Sequence, residues 1–428
     1  MNGLNEYPLR REIADELHAR PYAHMRSPVR ITHLVCLASE RSELKPERNV
    51  ASLCERFNTA GPTVGAAHFI VDFGSFRLKW ERHTEFESYT FIQQAPVDHL
   101  FDGSVIDLIP TDWVAALPDK TLVAANVDVE DLDKPERTIG EIAEIFEGNT
   151  VTGSLVLGGK ARFWTDHKIH DNGFRRILIR NDGLDQRGLG RLVHRLLEIE
   201  TYRMLAMLAF PLAKQAIPQL AMAEQKLSGI VARLPLLNDI DDERESLEQL
   251  MALAAEAESI SANTAYRFSA ACAYNSLVEQ RVRELREERL ERIELSGNFL
   301  YRRLAPAMST CENMARRQET LAARIARASN LLRTRVDVAR EEQNRELLMS
   351  MDRRAQLQLR LQETVEGLSV VAISYYLLGL ISYLVKGAKG MGFHLDVDIV
   401  VSFAFPVVIG GVWFGVRRIR RAISAREE

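Results

Sequence analysis

Glu81, His83 and Glu85 stand at alternate positions in the segment RLKWERHTEFESYTF (Arg77–Phe91). On an extended strand alternate side chains share a face, so this spacing predicts two carboxylates and an imidazole together, with Trp80, Arg82, Thr84 and Phe86 opposite. Such a set suits a divalent cation in the cytoplasm. A polar sheet face packed on another subunit carries the same pattern. His167 and His170, in TDHKIHDNG with Asp166 and Asp171 beside them, have ligand types at a workable spacing, and a polar turn between strands is their plainer use. Gly153–Lys160 (GSLVLGGK) approaches a phosphate-binding loop but has Gly159 where the lysine belongs and Ala161 after Lys160, so no nucleotide site is expected. No serine or cysteine stands with histidine in a motif for nucleophilic catalysis, and the chain is expected not to be an enzyme.

A different chemistry is offered near the C-terminus. LSVVAISYYLLGLISYLV (Leu368–Val385) and IVVSFAFPVVIGGVWFGV (Ile399–Val416) carry no charged residue. Each has the length that crosses about 30 Å of hydrocarbon with a few flanking residues. Tyrosine and tryptophan lie near their ends, and Arg417, Arg418, Arg420 and Arg421 follow the second. A transmembrane helical hairpin over 367–416 is expected, with lipid bilayer as its partner. If its first helix lined a pore, Gly367, Ser374, Leu378 and Ser382 would form the lining, since steps of 7, 4 and 4 fall on one side of a helix. Small hydroxyls suit a hydrated cation. They also let membrane helices approach closely and bond to one another. Asp396 and Asp398 in the connecting loop would ring the outer mouth in an oligomer and raise the local cation concentration.

The elements that position these groups change character along the chain. Residues 1–185 read as a cytoplasmic α+β domain, a mixed sheet with flanking helices. Strand signals run over Val29–Ala38, Ala67–Phe73, Phe76–Gln93, Thr121–Val129, Thr150–Leu157 and Arg175–Arg180. Helical spacing lies between them at Leu9–Ala19 and Arg41–Asn58, and at Glu136–Phe146, where Thr138 and Glu141 are spaced as a capping box. Residues 186–306 read as helical, with Gly188–Leu227 broken or kinked near Pro211 and Pro218. Ala307–Glu366 contains neither glycine nor proline. Its apolar positions Leu321, Ile325, Ala328, Leu332, Val336 and Ala339 recur at steps of 3 and 4, which predicts one stalk helix of about 90 Å. Such a rod needs partners along its length, from its own chain or from copies of itself.

Composition sets the limits. Of 428 residues 46% are apolar and 27% charged, with 55 Lys+Arg against 59 Asp+Glu, which excludes a disordered chain and leaves no overall basic field for nucleic acid. At roughly 150 residues per domain the length suggests about three units. The four cysteines are scattered and form neither a zinc nor a disulfide pattern. The N-terminus has no apolar run of signal-peptide length, so the first domain is expected to stay in the cytoplasm. Arg353, Arg354 and Arg360 before the first span, and the basic tail 417–428 after the second, are expected to place both termini on the cytoplasmic side of the membrane. Only the loop 386–398 then faces out.

This layout of α/β domain, helical region, long helix, span, short loop, span and basic end resembles the CorA-type magnesium channel family. That family carries Gly-Met-Asn at the outer end of the first span, where this chain reads Gly390-Met391-Gly392, without the asparagine. The resemblance implies a homo-oligomer, a pentamer, conducting Mg2+ or another divalent cation, and the missing asparagine puts magnesium selectivity in doubt. The alternative is a membrane-anchored scaffold or sensor whose hairpin only tethers it. More closely, LRREIADELHARPY (Leu9–Tyr22), Arg77–Phe91 and TVEGLSVVAISYYLLGLISYL (Thr364–Leu384) resemble an uncharacterised family of bacterial membrane-anchored proteins, a domain of unknown function, over essentially the whole chain.

Overall fold

The computed structural model describes residues 7–10, 22–38, 46–97, 99–117, 120–237, 240–390 and 396–424. They fall into two compact units: Met1–Leu236 with Glu248–Ser329, and Leu237–Leu247 with Asn330–Glu428. The expected helix at Leu9–Ala19, beyond Arg10, and the start of that at Arg41–Asn58 lie outside the described residues.

The first unit is built on a mixed sheet. Its strands are β1 (Val29–Leu37), β2 (His68–Asp72), β3 (Arg77–Arg82), β4 (Phe86–Gln93), β5 (Thr121–Asp131), β6 (Thr152–Val156), β7 (Ala161–Thr165), β8 (Arg175–Asn181) and β9 (Glu288–Arg289), in the order β2-β3-β4-β1-β5-β8-β7-β6-β9. β5 and β8 run parallel, and the other neighbours run antiparallel. β1 and β4 are buried along nearly their whole length, so both faces of the sheet are covered here. On one face Leu34, Leu78, Trp80, Tyr89 and Phe91 pack against Leu53 and Cys54 of α1 (Pro46–Arg56) and Trp113 of α2 (Thr111–Ala115). The opposite face of the same strands carries the buried polar side chains His33, Lys79, Glu81, Ser88 and Thr90 among the apolar Ile31, Val35, Phe86 and Ile92.

Two expectations about strands are corrected. Phe76–Gln93 is a hairpin of two strands, β3 and β4, joined by His83–Glu85; neither glycine nor proline marks the turn, and the backbone bond from His83 N to Phe86 O (2.8 Å) closes it. β7 gave no separate signal. It answers β6 across the tight turn Leu157–Lys160, so the stretch that approached a phosphate-binding loop is a β-hairpin.

The helices that follow are α3 (Ile139–Ile145), α4 (Gln186–Met207), α5 (Ala209–Arg233), α6 (Ile240–Leu285), α7 (Ser296–Gly390) and α8 (Val397–Ser424). The Thr138–Glu141 capping box forms at the start of α3. The helical stretch after Gly188 is interrupted at Leu208, just before Pro211, as expected. Pro211 sits in the first turn of α5, where no backbone donor is missed, and Pro218 lies inside it. The stalk helix begins at Ser296, before Pro306, and runs on through the first apolar segment to Gly390, so the connection to α8 is shorter than 386–398. Leu321, Ile325, Ala328 and Leu332 are buried as their spacing predicts, and Val336 and Ala339 are half-buried. From Arg340 to Val365 every residue of α7 is exposed.

In the second unit Glu243 of α6 lies 3.5 Å from Arg335 of α7. Two helices, over Ser296–Ala388 and Val397–Arg418, are long and apolar enough to cross a membrane. Within the first, Ser374 and Val385 are buried and Leu378 and Ser382 half-buried, whereas Tyr375, Tyr376, Leu380, Tyr383 and Leu384 are exposed.

One close approach in the first unit is backbone against backbone. A Cβ at Gly190 of α4 would stand 2.0 Å from the carbonyl oxygen of Ala23, and Met25 N bonds to Gln186 O nearby (3.1 Å). Only glycine lets the segment 22–26 cross the helix here. Gly190→Ala should therefore lower stability by about 3 kcal/mol, seen as a lower thermal midpoint of the full chain in detergent. An unchanged midpoint would show that the crossing is not fixed.

Candidate functional site

The polar half of the sheet faces α4 across a cavity of about 310 Å3. β3 and β4 contribute Glu81, Ser88 and Thr90, β1 contributes His33, and their mutual register sets Glu81 opposite Ser88 and His33 opposite Thr90. The facing wall is one stripe of α4, His194, Leu197, Glu198, Thr201 and Tyr202, at steps of 3, 1, 3 and 1. Tyr22, carried past Gly190 by the crossing segment, and Arg281 of α6 complete the lining. A sheet–helix interface is normally apolar on both sides; here both walls carry buried polar side chains beside Phe86 and Leu197.

His33 ties the walls together. Its Nδ1 lies 2.9 Å from Thr90 Oγ1 and its Nε2 3.3 Å from Thr201 Oγ1. Thr201 Oγ1 donates its proton to Leu197 O (2.8 Å), so it accepts from Nε2–H, and Nδ1 accepts from the Thr90 hydroxyl. The ring is thus assigned as neutral. Burial, with His194 and Lys79 nearby, pushes its pKa down to about 3.

Glu198 accepts from Arg281 Nε (2.6 Å) and Nη2 (3.2 Å), and His194 Nε2 lies 3.5 Å from it. Burial alone would raise this carboxyl, but His194 and Arg281 overturn that and hold it at about 2. Glu81 pairs with Lys79 at 3.0 Å, both buried. His83 stacks on Phe86 with centroids 4.2 Å apart.

The expected set of Glu81, His83 and Glu85 is therefore divided. β3 ends at Arg82, so the alternation does not continue through the turn. Glu81 and His83 line the cavity, while Glu85 turns to α6, where it accepts from Tyr274 (3.0 Å), Arg267 (3.0 Å) and Tyr266. Those hydroxyls and the guanidinium hold Glu85 below the usual carboxylate range, against the effect of its burial. Among the described residues no three His, Cys, Asp or Glu side chains gather as ligands of one metal.

The other candidates sit elsewhere. His170 bridges Asp166 (3.0 Å) and Glu147 (3.1 Å). His167 lies 3.1 and 3.2 Å from the hydroxyls of Thr152 and Ser296 and 3.4 Å from Glu200, stacked on Phe299, so the two imidazoles serve separate buried networks. Gly367 is exposed, and Ser374, Leu378 and Ser382 lie on the covered stripe of α7. Gly390 ends α7, and Met391 and Gly392 lie outside the described residues. Asp396 and Asp398 are exposed, with Asp398 N bonded to Asp396 Oδ1 (3.2 Å) at the start of α8. His33, His194, Glu198, Thr201 and Arg281 carried no motif. Their signal was the polar spacing of His194, Glu198 and Thr201 on an otherwise buried helix, readable only once the sheet is known.

Fold and site together define an α+β protein with a polar cavity beneath its covering helix, long helices after it, and two apolar helices at the C-terminus. The chain belongs to the DUF3422 family, described as protein of unknown function, whose model matches residues 5–423. That match lends nothing to the CorA-type likeness. No curated protein matches the chain.

The neutral strut has a pH signature. His33 has its pKa lowered from 6.5 to about 3, so below pH 6.5 the unfolded chain binds the proton that the folded chain refuses, and stability falls at up to about 1.4 kcal/mol per pH unit. Glu198 acts with the same sign at lower pH. Its stabilisation is complete above 4.5 and is lost as pH falls toward about 2, below the window of interest. Between pH 6.5 and 4.5 the wild-type chain should lose on the order of 2 kcal/mol through His33, and His33→Gln should flatten the thermal midpoint across that window. Equal slopes for the two proteins would remove the neutral strut.

Proposed function

We propose that the chain is a membrane-anchored sensor. The α7–α8 pair tethers it to a bacterial inner membrane, with both termini on the cytoplasmic side, and the α+β unit binds a small polar molecule in the cavity between β3, β4, β1 and α4. One observation carries the reading: beside Phe86 and Leu197, both walls bury polar side chains, His33, Glu81, Ser88 and Thr90 on the sheet and Thr201 on α4, where packing alone would call for apolar ones, and they line a space at the lower end of the size of ligand sites. Two of the segments that carry the family resemblance meet there, through Tyr22 and through Glu81–Thr90. The anchor is supported by the exposed apolar surface of the two C-terminal helices, which water would not tolerate. A homo-oligomer is part of the reading, since Leu347, Leu348, Met351, Leu357 and Leu361 lie on the uncovered length of α7.

Divalent-cation transport is the rival. In it Gly367, Ser374, Leu378 and Ser382 would line a pentameric pore for Mg2+, with Asp396 and Asp398 at its mouth. Against it, three of the four lining residues belong to the stripe that a single chain already covers.

Purified full-length protein in proteoliposomes should pass neither magnesium nor cobalt above the protein-free rate, and exchanging both apolar helices for an unrelated hairpin should leave the cavity's ligand binding unchanged. Flux that falls in Asp396→Ala/Asp398→Ala would overturn the sensor in favour of the channel.

A further inference from the structure

We infer that the cavity under α4 takes a neutral, polyhydroxylated molecule of about monosaccharide size. The inference rests on the binding reading above and adds the chemical class.

The charges around the cavity are already matched. Arg281 spends Nε and Nη2 on Glu198 and Nη1 on Glu284 (3.1 and 3.3 Å). Lys79 is taken by Glu81, Arg267 by Glu85, and His194 faces Glu198 at 3.5 Å. A phosphate or carboxylate entering the cavity would meet no uncommitted cation among these, and burying an unmatched charge costs several kcal/mol. The carboxylates are matched in the same way, so a cationic ligand gains little either.

The hydrogen-bonding groups are not fully spent. Glu81 meets Lys79 through Oε2, and its Oε1 has no bond among the described residues. Neither has the hydroxyl of Ser88, its partner across β3 and β4. Thr90 gives its proton to His33 and keeps lone pairs to accept with. What remains is a row of acceptors with a hydroxyl among them. Neighbouring ligand hydroxyls fit such a row because one can donate to Glu81 Oε1 and the next to Thr90 Oγ1, while either accepts from Ser88.

Beside the row lies a flat surface. His83 is stacked on Phe86 with rings 15° apart, and Tyr22 meets His194 edge-on at 5.2 Å. A molecule with hydroxyls along its edge and C–H groups on its face uses both features. A volume of about 310 Å3 admits one ring with its hydroxyls and excludes a dinucleotide.

The test uses the full-length chain in nanodiscs, because maltoside detergents would present the same chemistry. Neutral hexoses, pentoses and inositols are compared with their phosphates, with sugar acids and with primary amines of similar size, by thermal shift and titration calorimetry. A neutral polyol is expected to bind saturably and to raise the unfolding temperature. The charged counterparts should bind at least about tenfold more weakly, a loss of about 1.4 kcal/mol. Ser88→Ala, which empties nothing else, should weaken polyol binding by about tenfold, and Glu81→Gln by more. Saturable binding of a charged class that Ser88→Ala weakens would overturn the polyol assignment and leave the sensor reading standing. Polyol binding indifferent to both substitutions would place it elsewhere and overturn the assignment. Saturable binding by no class would overturn both.

Discussion

The run of hydrogen bonds from Thr90 through His33 and Thr201 to Leu197 O is the interaction on which the site depends. It crosses from β4 to β1 to α4, so it sets the separation of the two walls with directional bonds rather than with side-chain bulk. Because the Thr201 proton is committed to the helix, the ring that bridges the walls has one consistent tautomer and no reason to charge. A buried polar network of this kind is stable only when every member is satisfied. Once it is, the remaining groups of the wall can be left unspent without collapse of the interface, and that is what makes a polar cavity in a sheet–helix core sustainable.

Around this strut the first unit is latched electrostatically at two places by α6. Glu85, at the β3–β4 turn, is held by Tyr266, Arg267 and Tyr274, and Glu198 of α4 is held by Arg281, which also meets Glu284. Each latch joins a part of the cavity rim to the same helix. Half-exposed ion pairs contribute little one at a time, but those that are buried and accept several donors resist removal of a partner strongly. The position of α6 and the shape of the cavity mouth are therefore coupled, and anything that shifts one is felt by the other.

Much of the fold was legible because it follows local rules. Val29–Ala38 and Thr121–Val129 were readable from β-branched runs, Thr138 and Glu141 from cap spacing, and Leu321–Leu332 from a helical stripe that proves to be buried. The turn at His83–Glu85 was not, because it is closed by backbone bonds and uses no glycine or proline; that single misreading kept Glu81, His83 and Glu85 on one face. β7 was hidden by its brevity and needed β6 and β8 to define it. The site itself joins residues 22, 33, 81–90, 194–202 and 281. No local pattern links such distant segments, and the polar spacing of His194, Glu198 and Thr201 becomes informative only when α4 is known to cover the sheet.

The hairpin uses the same residue types to a different end. In the cavity every hydroxyl that is buried between sheet and helix has a protein partner or a lining position, whereas Ser374 Oγ is buried on α7 without a partner among the described residues. An orphaned hydroxyl costs about 1–3 kcal/mol, and a water-filled pore would be one way to satisfy it. A nearer way exists in the helix itself. Ser369 already returns its hydroxyl to Val365 O at 2.8 Å, and rotation about one side-chain bond gives Ser374 the corresponding carbonyl of Val370. Leu378 and Val385, on either side of Ser382 along the same stripe, are apolar and would face any ion that passed. With two apolar side chains beside its two hydroxyls, the stripe is suited to bring one apolar helix close to another.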